Sequence, residues 1–295
     1  MYVYQYMMNQ QKAIKLEQPT RNWLDLPPEL MANILYRIGV VDIFESAEKV
    51  CTAWRKICKD PAMWMVVYMD GSTDPNGRLP LDKMCEYAID RSKGQLVDIT
   101  ITEFDYAKIL VYIAERSSRQ LRRLTMARCY DIDYMDGIWT KALKKLPLLE
   151  ELSLYETKIT RRGIKTAGRY CSMLKTLKVN QEEYRLWDEY GYREFKAKKI
   201  INDRVAMAIG QNLHELRHLE LIGNPMSNKG LGMILDGCHH LESLDLRACF
   251  FIDLDGDLGK RCLQQIKRVK LPYDSLEGCP FIYQNDGMTC DADDE

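Results

Sequence analysis

Ten cysteines and four histidines are the residues of this chain best equipped for metal binding or nucleophilic chemistry, so their spacing is decisive. No C-x-x-C pair occurs, and structural zinc sites are built from such close pairs. His214 and His218 are four apart, but Leu216 and Leu219 place them on a strand-like stretch, where that spacing gives no shared helical face. Asp253, Asp255 and Asp257 alternate as acids do in a calcium loop. The glycine there stands fourth instead of sixth, and the twelfth position is Gln264 instead of glutamate, which excludes calcium. There is no glycine-rich phosphate loop, nucleophile elbow or kinase motif set. The sequence predicts no catalytic residue, no metal and no cofactor. What remains is recognition.

Composition agrees. Hydrophobic residues make up 46% and charged residues 29% of the chain, which fits a folded globular protein. The net charge of −1 provides no excess of either sign, so neither nucleic acid nor an anionic membrane is expected as a partner. The opening MYVYQYMMNQQ lacks the basic start and apolar run of a secretory signal. No stretch reaches the ~20 apolar residues that span a bilayer. The expected location is the nucleus or cytoplasm, with reduced cysteines.

The elements that must position a binding surface are visible as a repeat. Leu216, Leu219 and Leu221 recur as Leu241, Leu244 and Leu246, a shift of 25 residues. Further copies begin at Leu96, Leu121, Leu149, Leu174 and Ile266, seven in all. In L-x-x-L-x-L the last two apolar residues lie two apart and point to one side of a strand. Between copies the apolar residues fall three and four apart, as in Ile164, Ala167 and Cys171 or Leu231, Ile234, Leu235 and Cys238, which marks a helix face. Units of strand, turn and helix at this period stack as leucine-rich repeats. Cys171 and Cys238 stand three before a first leucine. Cys129 and Cys249 stand eight after one, where Asn224 takes the same place, a position suited to a small side chain bonding the turn backbone.

Residues 23–64 follow another pattern. Pro27 and Pro28 suit a helix start, Leu30, Ile34, Leu35 and Ile38 fall on one face, and Gly39 ends the helix. Asp42 is read as the N-cap of a second helix carrying Ala47, Val50, Cys51, Trp54 and Cys58. Pro61 starts a short third carrying Trp64. So few residues make a weak core, and a partner covering an apolar face would stabilise it.

Leu26, Pro27, Glu29 and Leu30, then Ala47, Val50, Cys51, Trp54 and Arg55, then Asp60, Pro61 and Trp64 occur in the order and spacing of an F-box, which this stretch resembles. The resemblance implies a Skp-type adaptor, and through it a cullin–RING ubiquitin ligase, as partner. It implies adaptor contacts from Leu26, Pro27, Leu30, Ile34 and Ile38, with Val50 and Trp54 beside them. AIDRSKGQL and the stretch from Glu215 to Cys262 are similar to plant F-box/leucine-rich-repeat proteins of the Skp-interacting-partner type, and the similarity covers most of residues 22–275. It departs at His239, where that family has proline, in the tails, and in an insert at 182–200.

The expected fold is α/β: a three-helix F-box at 22–69, a linker and capping helix at 70–93, and a repeat solenoid at 94–275, with tails at 1–21 and 276–295. Side chains flanking each inward strand pair should line the inner curve: Thr125, Ala127, Ser153, Tyr155, Lys178, Asn180, Glu220, Ile222, Asp245, Arg247 and Lys270. Among them Tyr155, Lys178, Glu220, Asp245 and Arg247 are candidates to bind a target protein. The insert adds Trp187 and Tyr190, with Tyr184, Tyr192 and Phe195. It reads equally as a partner-contacting loop or as a lid folded on the solenoid. Two functions follow: a substrate receptor of an SCF ligase, or a repeat scaffold whose N-terminal helices only cap it.

Overall fold

The structure is a computed structural model that describes residues 23–73, 79–104, 106–117, 119–128, 136–157, 159–181 and 202–280. The aromatic insert, with Trp187 and Tyr190, and Cys129 lie outside the described residues, as do residues 1–21.

The protein is α/β. Eight parallel strands form one sheet in sequence order: β1 (Val66–Asp70), β2 (Asp98–Thr102), β3 (Arg123–Ala127), β4 (Glu151–Tyr155), β5 (Thr176–Asn180), β6 (His218–Glu220), β7 (Ser243–Asp245) and β8 (Arg268–Lys270). The predicted leucines form rows across it: Leu124 pairs with Leu152, Leu152 with Leu177, Leu177 with Leu219, and Leu219 with Leu244. The inward side chains are buried throughout these rows.

Before the strands comes a helical module. It contains α1 (Pro28–Ile38), α2 (Val40–Asp42), a π turn (Ile43–Ala47), α3 (Glu48–Val50), α4 (Thr52–Cys58) and a 3-10 turn (Pro61–Trp64). The connecting helices are α5 (Leu81–Arg91), α6 (Tyr106–Arg116), α7 (Asp136–Lys144), α8 (Arg161–Tyr170), α9 (Arg204–Asn212), α10 (Asn228–Gly237) and α11 (Asp257–Gln265). Strands in strict order with connections of one sense put these helices on one face and leave the other free of them. Thr160 and Ser227 start α8 and α10 by accepting from Gly163 N–H at 3.0 Å and Lys229 N–H at 3.2 Å.

The turn after each strand repeats too. Glu103, Arg128, Glu156, Gly223 and Ala248 all have positive φ. Their N–H groups donate to the carbonyls of Ala127, Tyr155, Asn180, Arg247 and Pro272, at 2.7–3.0 Å. A left-handed corner is unfavourable for a side-chain-bearing residue, but here each one stitches its unit to the next. Cys249 belongs to the same corners. Its thiol donates to Leu221 O at 2.9 Å, and burial pushes it up to about 12, so it is structural and inert.

Three readings of the sequence change. The sheet has an extra strand, β1, at the end of the stretch assigned to the F-box. Val67 pairs with Ile99 and Met69 with Ile101, so W-x-x-V-x-M repeats L-x-x-L-x-L with Trp64 as the first apolar residue. Consequently α5 is not a terminal cap but the helix of this first unit, and the helical module caps it. The second helix of the module is broken: Cys51 is extended, and its sulfur, not Asp42, caps α4 by accepting Trp54 N–H at 3.5 Å. Finally, α1 has two apolar stripes: Met31 and Leu35 face the core, whereas Leu30 and Ile38 are exposed and Ile34 half-buried.

Candidate docking surfaces

The module's core is complete without its outer stripe. Met31, Leu35, Val40, Ile43, Ala47, Cys58, Met63 and Trp64 are buried and continuous with the core of the solenoid. Trp64 is held by its Nε1–H to Cys58 O at 2.8 Å and by the Phe44 ring stacked 5.3 Å away. Arg91, at the end of α5, clamps the module to the first repeat. Its guanidinium forks onto Glu48, with Nη2 3.1 Å from Oε2, bonds Cys58 O at 3.2 Å, and lies 4.7 Å from the Phe44 ring centre and 5.5 Å from that of Trp64.

Against this fixed base, the module exposes apolar side chains. Leu30 is 55%, Ile38 39% and Val50 60% exposed. Pro27 is exposed, and Leu26, Ile34 and Trp54 are half-buried. Leu30, Ile34 and Ile38 follow one another at four-residue steps along α1, a continuous strip. Val50 stands where α3 ends at the Cys51 break. Sequence reasoning missed Trp23, an exposed ring set edge-on to Trp54 at 6.4 Å, and Tyr36, exposed on α1. Both aromatics were legible as residue types, but neither falls on the helical period.

The helix-free face of the sheet is polar and largely self-paired. Arg123 bonds Asp98 at 2.8 Å, Lys178 bonds Glu151 at 2.8 Å, and Asn180 donates to Glu220 at 2.6 Å. Lys178 and Glu220 remain partly accessible. Tyr155, Asp245 and Arg247 do not form an open surface as expected: they are 4%, 8% and 5% exposed. Arg247 Nε and Nη2 fork onto Asp245 at 2.9 and 2.6 Å, and its Nη1 donates to the Ser275 carbonyl at 2.8 Å. Burial, then the charge of Glu220, raises the Tyr155 hydroxyl. Alternation along a strand sets the direction of these side chains; it does not reveal what the rest of the chain lays over them.

Comparison with known proteins now has geometry to meet. An F-box-like family matches residues 23–70, the helical module through β1. The F-box protein SKIP19 of Arabidopsis thaliana is 43% identical over 86% of this chain and 78% of its own length. The chain belongs to the plant F-box/leucine-rich-repeat family. Two further Arabidopsis thaliana relatives are the putative F-box/LRR-repeat protein 23, 42% identical over 89% of this chain, and the putative F-box/LRR-repeat protein 21, 40% identical over 88% of this chain and 85% of its own. The chain spans 56% of the length of protein 23. The solved Rad7–Elc1 complex of yeast aligns at a TM-score of 0.43 and 14% identity over 91% of this chain and 72% of that chain, too loose a likeness to argue from. Among the described residues of this F-box protein, no helix is long and apolar enough to cross a membrane, and no cluster of three or more His, Cys, Asp and Glu is arranged to hold a metal ion.

Proposed function

We propose that this protein is the non-catalytic substrate receptor of an SCF (Skp–cullin–F-box) ubiquitin ligase acting in the nucleus or cytoplasm. The F-box docks on a Skp-type adaptor, and the repeats hold a target protein. Tethering raises the target's effective concentration near the ubiquitin-loaded enzyme, and no side chain of this chain takes part in bond making. One observation carries the reading: Leu30, Ile34, Ile38 and Val50 form no part of the buried core yet stay apolar and outward. An outward apolar strip on a module this small fits a covering partner.

The scaffold reading also has an observation behind it, since the module does cap the first repeat. Capping requires the residues that meet α5 and β1; it gives no role to Leu30, Ile38 or Val50. A pull-down of the full chain with a purified Skp-type adaptor separates the two. Stoichiometric capture that is lost on replacing Leu30 and Ile38 by aspartate supports the receptor. No capture by the unaltered chain supports the scaffold.

A further inference from the structure

Beyond β8 the chain turns back over the helix-free face. Leu271 N–H donates to Asp274 Oδ2 at 2.8 Å and Asp274 N–H to Leu271 O at 3.1 Å, which closes a tight turn. Pro272 O accepts Ala248 N–H at 2.7 Å, and the Tyr273 ring lies 5.5 Å from that of Phe250. The next residues cross the strands. Ser275 O meets Arg247, and Cys279 N–H bonds back to Leu276 O at 3.1 Å. Leu276 and Cys279 are half-buried. Burial raises the Cys279 thiol, and its charged surroundings are Arg247, Asp245, Glu220 and Lys270, which belong to β6, β7, β8 and the corner after β7. Cys279 also acts electrostatically on Tyr155, at the end of β4.

We infer that Ser275–Cys279 is an internal occupant of the target-binding face, and that this face is built to take an extended peptide segment whose backbone carbonyl meets Arg247. The inference rests on the receptor reading, which gives the face a target. Asp245 holds two arms of the Arg247 guanidinium, so the third donor is aimed and cannot swivel. The donor is filled by a main-chain oxygen, an acceptor that every residue carries. A peptide from another protein offers the same group, so it competes with the strap for one position. Selectivity then falls to the neighbours in that row of the sheet: Ala127, Tyr155 and Asn180, joined in register, with Ile222 beyond. A tethered occupant competes at an effective concentration of order mM, so a target segment binds the full chain more weakly than the bare face.

The test uses a labelled peptide of residues Ser275–Pro280 as probe and a chain ending at Asp274, which keeps the Pro272 and Asp274 contacts. Saturable binding in fluorescence anisotropy is expected with the shortened chain and at least tenfold weaker with the full chain. Arg247→Lys in the shortened chain lowers affinity at least tenfold. No binding by a shortened chain whose circular dichroism and Tm match the full chain, or equal binding by both, overturns the inference. Should the shortened chain not fold, maleimide labelling of Cys279 in the full chain, read by peptide mass spectrometry, decides instead. Labelling at least tenfold slower than in the free peptide, and accelerated by Arg247→Lys, is expected; the same rate as the free peptide refutes it. Adaptor capture is measured on both chains. Its loss from the full chain would defeat the receptor reading and leave the strap standing.

Discussion

Replacing Arg91 by alanine should destabilise the protein by about 3 kcal/mol, because it removes one member of a mostly buried ion pair that also fastens two modules together. The magnitude is assembled from the contacts. Removing one partner of a buried pair costs ~3–5 kcal/mol, since the other charge is left without compensation. Glu48 and Arg91 both keep some contact with water, which moves the value to the low end of that range. The contact over Phe44 and Trp64 adds ~0.5–1 kcal/mol. Arg91→Lys retains charge but not the fork, so a loss of about 1–2 kcal/mol is expected. Adding Glu48→Gln to Arg91→Ala removes the stranded carboxylate, and the double variant should lose at least ~1 kcal/mol less than the sum of the single losses. Urea denaturation of the full chain is the assay, with the midpoint shifting at constant slope. A loss below about 1 kcal/mol for Arg91→Ala, or strict additivity with Glu48→Gln, would show that the clamp does not join the modules.

Replacing Leu30 and Ile38 together by aspartate should weaken adaptor capture more than a hundredfold, given ~1.5–3 kcal/mol per buried aliphatic side chain. The same pair should change Tm little because both are exposed, while Met31→Asp unfolds the module; calorimetry with the pull-down checks both. Gly210→Ala and Gly237→Ala should each cost at least ~2 kcal/mol, as the added methyl would sit 2.1 Å from Met233 O and 1.8 Å from Gly210 O, forcing α9 and α10 apart. Gly232→Ala, on the same helix with open space around it, should instead stabilise by up to ~1 kcal/mol in denaturant titration. Lys83 and Lys108 hold Glu86 below the usual carboxylate range. The unfolded chain therefore takes up that proton first on acidification, and the stabilisation present at neutral pH is lost as pH falls through the lowered pKa. Glu86→Gln should lower Tm at pH 7 and flatten its decline below about pH 4.5, as scanning calorimetry across pH would show.

Much of the architecture was legible because the repeat is periodic. Every row of inward leucines lies where the 25-residue shift puts it. The strand β1 escaped because Trp64 and Met69 stand in leucine positions and Val67 lies 32 residues before its partner Ile99. The two stripes of α1 were merged because periodicity marks apolar residues without saying which side meets the core. Leu35 faces in while Leu30 faces out, and only the packing of the module separates them. The state of Arg247 and Tyr155 was not legible at all. Arg247 depends on Ser275, 28 residues further on, and no local pattern encodes that contact.

Trp64 belongs to both halves of the molecule, closing the helical module and opening the first row of the sheet. Recombination cannot cut cleanly there. A chimera that exchanges the F-box at residue 64 would strip the foremost strand from its own anchoring ring, whereas a seam beyond Asp70 carries ring, strand and helices over together.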